Sequence, residues 1–142
     1  MNTSPKDILI KLTKKIKLTD ERISDNFLWS EFLRNQKEIP TIKILNNLRK
    51  VTEQLELYRR IYFHNSPIYI TSGWRSVKYN AKIPGAAKKS THTLGLAADF
   101  NVKGYTPQQV QKILHPVHTG GLEFAPTWTH IDLRGTYVRF TS

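Results

Sequence analysis

The sequence predicts an α+β fold in which N-terminal helices pack on a small, mainly antiparallel sheet. Three observations predict it. Up to residue 66 the apolar positions recur at three- and four-residue steps, the period of amphipathic helices. After Asn65-Ser66-Pro67 the pattern changes to short β-branched and aromatic runs separated by Gly and Pro. Only one later segment, at Thr106-Pro107-Gln108-Gln109, again opens like a helix.

Each element has its own signal. Ser4 reads as an N-cap with Pro5 in the first turn and Asp7 near the positive helix end, followed by Ile8, Leu9, Leu12 and Ile16 at helical spacing. The lysines between them leave a surface-lying helix open, but a docked helix is the simpler reading. Ser24-Asp25-Asn26 signals a turn or cap before a short apolar element, Phe27–Leu33. The longest helix starts at Pro40-Thr41 and carries Ile44, Leu45, Leu48, Val51, Leu55, Tyr58 and Tyr62 on one stripe, with Arg49, Lys50, Arg59 and Arg60 on its solvated face. Ile68–Thr71 reads as a strand ending at Ser72-Gly73, and residues 73–91 as a long loop with one helical turn. Ala97–Val102 is a second strand, and the Thr106 helix runs to about Leu114. Gly120-Gly121 resets the chain, Trp128–Leu133 alternates as a strand, and Tyr137–Phe140 is a last short one.

Composition narrows the function. The 142 residues fit one domain (1–142), with a helical lead-in at 1–66 and a core at 67–142. The absence of cysteine excludes disulfides and thiolate metal sites, so any metal is held by His, Asp or Glu. No apolar run is long enough to span a membrane, and the N-terminus shows no signal-peptide h-region. The charge of +11 admits nucleic acid, an anionic surface or plain solubility as its reason. Residues 67–142 hold nine basic side chains and only three acids, Asp99, Glu123 and Asp132.

Two histidines stand beside those acids: His92 seven residues before Asp99, and His130 two before Asp132. Hydrolytic zinc sites commonly use three His or Asp/Glu ligands and leave one position open. His92, Asp99 and His130 would supply such a set, and a zinc ion there would acidify a water to a pKa of about 7. Against this stand an ordinary His–Asp surface pair and a cross-strand contact, and His115 or His118 is a weaker third ligand. His64 reads as structural or exposed.

The surrounding residues are more specific. Ser90-x-His92-x-x-Gly95-x-Ala97-x-Asp99 resembles the signature of the zinc D-alanyl-D-alanine carboxypeptidase family, whose clan includes phage endolysins and the hedgehog signalling domain. Ser72-Gly73-Trp74-Arg75-Ser76-x-x-Tyr79-Asn80 is similar to the family's upstream stretch. Gly120-Gly121-Leu122 and Trp128-Thr129-His130-Ile131-Asp132-Leu133-Arg134-Gly135 are similar to its closing motif. Ile23–Phe32 resembles the lead-in of phage and prophage members, so the likeness covers about residues 23–135.

That resemblance implies His92, Asp99 and His130 as zinc ligands, and Arg75 as the group that pairs with a substrate carboxylate or carbonyl. Ser90 is expected to bind substrate or to fix the loop carrying His92. Gly73, Gly95, Gly120 and Gly121 read as turn residues. The general base departs from the family's pattern. Thr127 and Trp128 occupy the positions where relatives place one, leaving Glu123, brought back by a bend at Pro126, with Asp132 as competitor or as support for a ligand.

The implied activity is a zinc metallopeptidase, of carboxypeptidase or endopeptidase type, cutting the peptidoglycan stem or cross-link as a phage or prophage lytic enzyme. The expected partners are the wall peptide and the anionic wall, with no nucleic acid and no membrane span, and the protein acts as a monomer. It is expected in the host cytoplasm before pore-dependent release, or on the virion. A non-catalytic, zinc-stabilised binding module of the same fold is the alternative, and nucleic-acid binding, supported by charge alone, is the third.

Overall fold

The computed structural model describes residues 2–34 and 37–141. Helix α1 (Pro5–Thr13) opens as the sequence predicts, with the Ser4 hydroxyl accepting the Asp7 N–H at 3.2 Å. It buries Ile8 but ends earlier than the apolar spacing suggests. Lys15 turns into the left-handed region (φ 58°), and Ile16 is left exposed.

The expected turn is present at Asp25-Asn26, but the apolar element after it divides in two. Strands β1 (Arg22–Ser24) and β2 (Phe27–Leu28) form an antiparallel hairpin, and the short helix α2 (Trp29–Leu33) follows directly. Glu31 caps α2 by accepting the Leu28 N–H at 2.7 Å. Helix α3 (Ile42–Tyr62) begins at the expected Thr41 cap. Leu45, Leu48, Val51, Leu55 and Tyr58 form its buried stripe, each fully buried leucine contributing about 1.5–3 kcal/mol. On its other side Glu56 accepts from the Ser24 hydroxyl (2.7 Å) and the Asn26 N–H (2.9 Å), so α3 also locks the hairpin turn.

A five-stranded sheet follows: β3 (Ile68–Ser72), β4 (Ala97–Val102), β5 (Gly121–Glu123), β6 (Thr129–Asp132) and β7 (Val138–Phe140), in spatial order β3-β4-β6-β5-β7. The pairings are antiparallel except β5 with β7, which run parallel. The sequence missed β5, because two glycines and two further residues carry no strand pattern. Between β3 and β4 the predicted loop contains helix α4 (Val77–Ala81), capped by Ser76, and a 3₁₀ turn at Thr91–Leu94. Helix α5 (Pro107–Leu114) carries the predicted capping box, Thr106 with Gln109. Among the described residues no helix is long and apolar enough to cross a membrane.

Strand alternation divides the sheet's labour. Ile70, Ala98, Phe100, Leu122 and Ile131 point to one face and join Ile8, Trp29 and Leu55 in a single buried cluster, so lead-in and sheet share one core. The residues between them, Asp99, Glu123, His130 and Asp132, occupy the other face. Register brings them level, because β6 pairs His130 with Asp99 on one side and with Glu123 on the other. On β3 a bulge between Ile70 and Ser72 sets Ser72 opposite Asp99.

Candidate metal centre

Three elements deliver three donor atoms to one point. His92 rides on the 3₁₀ turn, whose start is capped by the Ser90 hydroxyl accepting the His92 N–H at 3.2 Å. Asp99 and His130 come from the paired strands β4 and β6. His92 Nε2 lies 3.1 Å from Asp99 Oδ1, His130 Nδ1 lies 2.8 Å from the same oxygen, and the two ring nitrogens are 3.2 Å apart. All three residues are buried.

The outer nitrogens show what the inner ones can do. His92 Nδ1–H donates to the Gly73 carbonyl at 2.7 Å, and His130 Nε2–H donates to Asp132 Oδ2 at 2.8 Å. With those protons placed, the neutral rings turn bare nitrogens inward, toward a carboxylate oxygen. Three electron-rich atoms so close together need positive charge among them, supplied either by protons or by a metal ion. The donor set therefore fits a divalent metal taken by two imidazoles and a carboxylate. Protonation shows the same demand. Burial opposes charging of His130, but its hydrogen bonds to Asp132 and Asp99 outweigh burial and push its pKa up to about 9. Burial likewise opposes ionisation of Asp99, and the two histidines override it, holding its carboxyl well below the usual range.

Asp132 stands behind His130, on the side away from the donors, and is fully buried. Its Oδ1 accepts from the Gly121 N–H (3.0 Å), the Arg134 N–H (3.2 Å) and Arg134 Nε (2.7 Å), while Oδ2 accepts from Arg134 Nη2 (2.7 Å) as well as His130. Gly121 owes its identity to this contact, not to a turn: a Cβ there would sit 2.4 Å from Asp132 Oδ2. Gly120 is alike, since its Cβ would lie 2.1 Å from the Asp132 carbonyl oxygen. The reading of both as turn residues is corrected by these approaches, and neither adopts a positive φ.

Glu123 is placed differently. It is 8% exposed, shares a face with His130, and its carboxylate makes no hydrogen bond or ion pair among the described residues. The link back to His130 is a β5–β6 hairpin rather than a bend at Pro126 alone. Gln111 of α5 fixes that hairpin, its amide donating to the Ala125 (2.8 Å) and Trp128 (3.0 Å) carbonyls.

Arg75 lies on the opposite flank. Nη2 is 3.4 Å from Asp99 Oδ2, and Nε donates to the Ser72 hydroxyl at 3.1 Å. Arg75 also lines a cavity of about 240 Å³, together with Phe32, Arg34, Thr71, Trp74 and Tyr79. Ser90 serves the His92 turn as its cap.

The residues overlooked in the sequence are those without a motif. Phe140 of β7 sets its ring edge-on to His130, with centroids 5.7 Å apart, and carries the Arg134 guanidinium over its own ring. His118 is buried behind β6 and bonded to Asp132, so it is not a donor to the centre, and His115 lies outside it on the exposed side.

A family model described as peptidase M15 matches residues 25–132, a span that contains every donor named above. The chain belongs to the peptidase M15 family. M15 peptidases are metallopeptidases, and the converging His92, Asp99 and His130 are where this member can hold its metal. The peptidoglycan L,D-endopeptidase MepK of Escherichia coli K12 is 33% identical over 86 residues, which is 56% of this chain and 47% of that protein. The proteins of the same name in E. coli O157:H7 and Shigella flexneri match to the same extent. The M15 chain thus spans about half the length of the curated relatives it matches.

Proposed function

We propose that this M15 family member is a zinc-dependent peptidase that hydrolyses a bond of the peptidoglycan stem peptide or cross-link beside a D-amino acid. The observation that carries it is the pairing, on one sheet face, of a three-donor centre with a buried, unpartnered carboxylate at the same register. Bound at His92, Asp99 and His130, zinc would supply Lewis acidity and a water acidic enough to ionise near neutral pH.

The chain's own residues do the rest. The Glu123 carboxylate accepts a proton from the attacking water and returns it to the amine nitrogen as the C–N bond breaks. No other partner competes for it among the described residues. Asp132 cannot do the same, since its lone pairs are occupied by Arg134, Gly121 and His130. It holds His130 in the tautomer that bares Nδ1. Arg75, fixed by Ser72 and lining the neighbouring cavity, pairs with a carboxylate or carbonyl of the substrate.

The wall peptide is supported by the name of the E. coli relative and by the chain's charge of +11, which suits an anionic polymer. The lytic phage or prophage setting, with release through a pore or carriage on the virion, belongs to the same proposal and rests on the lead-in at Ile23–Phe32. The alternative of a non-catalytic module predicts no base at the centre, and the placement of Glu123 speaks against it.

Mass spectrometry of peptidoglycan fragments incubated with the zinc-loaded protein tests the proposal. New amino termini that disappear with a chelator are expected. Loss of a terminal residue indicates a carboxypeptidase and an internal cut an endopeptidase. Intact fragments at full zinc occupancy would reject hydrolysis.

A further inference from the structure

Behind Asp132 a second polar chain runs into the core. The Tyr58 hydroxyl of α3 lies 2.7 Å from His118 Nδ1, and His118 Nε2 lies 2.9 Å from the Asp132 carbonyl oxygen. A carbonyl only accepts, so Nε2 carries the proton, Nδ1 is bare, and the Tyr58 hydroxyl donates to it. Burial agrees with this arrangement, pushing the Tyr58 pKa up to about 12 and the His118 pKa down, so the phenol keeps its proton and the ring stays neutral.

The segment around His118 is built for this contact. Gly120 has no Cβ to obstruct it; one would lie 2.1 Å from the Asp132 carbonyl and 3.1 Å from His118 Nε2. From β7, Arg139 donates to the carbonyls of His118, Gly120 (2.8 Å) and His115 (2.7 Å), which pins the whole connection from α5 to β5. Tyr58 and His118 meet edge to face, with centroids 5.8 Å apart. Asp132 is thereby gripped twice, by its carboxylate from Gly121 and Arg134 and by its carbonyl from His118.

We propose that Tyr58 and His118 are positioning residues for the metal centre: through the Asp132 carbonyl they fix the Asp132–His130 unit so that Nδ1 of His130 faces His92 and Asp99. The proposal rests on the reading of that centre as a zinc site. A helix outside the catalytic motif then sets the affinity for the metal, through the chain Tyr58, His118, Asp132, His130.

The test is zinc affinity, measured by competition with a chelator of known affinity, alongside the urea midpoint of the metal-free protein. Tyr58→Phe removes one oxygen from a site that keeps its shape. His118→Leu removes the donor to Asp132, and His118→Gln offers an amide N–H in its place. Removing a partner behind a metal ligand typically weakens binding by about 10–100-fold. His118→Leu is expected in that range, Tyr58→Phe to lose several-fold, and His118→Gln to recover most of the loss. Should His118→Leu not fold, Tyr58→Phe decides alone. A parent chain that takes up no zinc overturns the zinc reading and this proposal with it. A parent that binds zinc while Tyr58→Phe and the folded His118 variants match it within about twofold overturns this proposal alone. So does a loss that only tracks metal-free stability and is not recovered by His118→Gln.

Discussion

At the scale of single residues the centre separates two carboxylates that the sequence could not tell apart. Asp132 is saturated by donors behind His130, whereas Glu123 is buried beside it with no partner among the described residues. Glu123→Gln is therefore expected to lower kcat by about 10²–10⁴ while leaving zinc affinity near that of the parent. Asp132→Asn should do the reverse first, weakening zinc binding about 10–100-fold. Kinetics paired with chelator competition distinguish the two, and equal effects on both quantities from both variants would sink the division of roles. His118 adds a pH signature. Burial lowers its folded pKa below the ordinary histidine value of about 6.5, so the unfolded chain binds the proton more readily. Its contribution to stability is complete above about 6.5 and is lost as the pH falls through the lower, folded value. Urea midpoints of the zinc-loaded parent should fall more steeply below neutrality than those of His118→Gln; parallel curves would show that His118 does not titrate in this way.

At the scale of elements, the sheet face is made by register, and Gly121, which starts β5, is part of it together with Gly120 just before the strand. Gly121→Ala would drive a methyl to within 2.4 Å of Asp132 Oδ2 and 2.7 Å of Arg134 Nε. Overpacking of this kind costs about 1–3 kcal/mol. The expected outcome is a thermal midpoint lowered accordingly together with weaker zinc binding; an alanine variant with parental values of both would mean that β5 shifts to absorb the methyl. The same strand marks the limit of what the sequence discloses. His92, Asp99 and His130 were legible through two separate stretches that resemble the family's motifs, Ser90–Asp99 and Trp128–Gly135, and α3 and α5 because their apolar period and caps are local. Strand β5 was not: Gly121-Leu122-Glu123 is too short to alternate, and it becomes a strand only between β6 and β7. The parallel β7 that brings Phe140 to His130, and the bulge that sets Ser72 across from Asp99, are likewise consequences of pairing partners remote in sequence. His118 and Tyr58, sixty residues apart, meet only when α3 packs behind the sheet.

At the scale of the whole molecule, the charge has a geography. From Leu57 to Ala98 the chain carries seven cationic side chains and no acid. Lys78, Lys82, Lys88 and Lys89 are exposed on the segment that leads into His92, while the three acids of residues 67–142 are buried at the centre itself. A positive rim around a catalytic cleft raises the local concentration of an anionic polymer and speeds encounter by about 10–10³-fold at low ionic strength. Such steering is screened beyond about 10 Å at 0.1 M salt and about 3 Å at 1 M. A reaction at the buried centre would, by contrast, be shielded from bulk ions. Hydrolysis of intact, anionic wall material is therefore expected to slow by about 10-fold or more as salt rises through this range, whereas cleavage of a short, uncharged peptide substrate changes little. Replacing Lys78, Lys82, Lys88 and Lys89 together by Gln should bring the low-salt rate on wall material down toward the high-salt rate of the parent and leave the short-peptide rate in place. Equal salt sensitivity of the two substrates would place the effect in the chemistry of the centre, and the rim would then have no part in finding the wall.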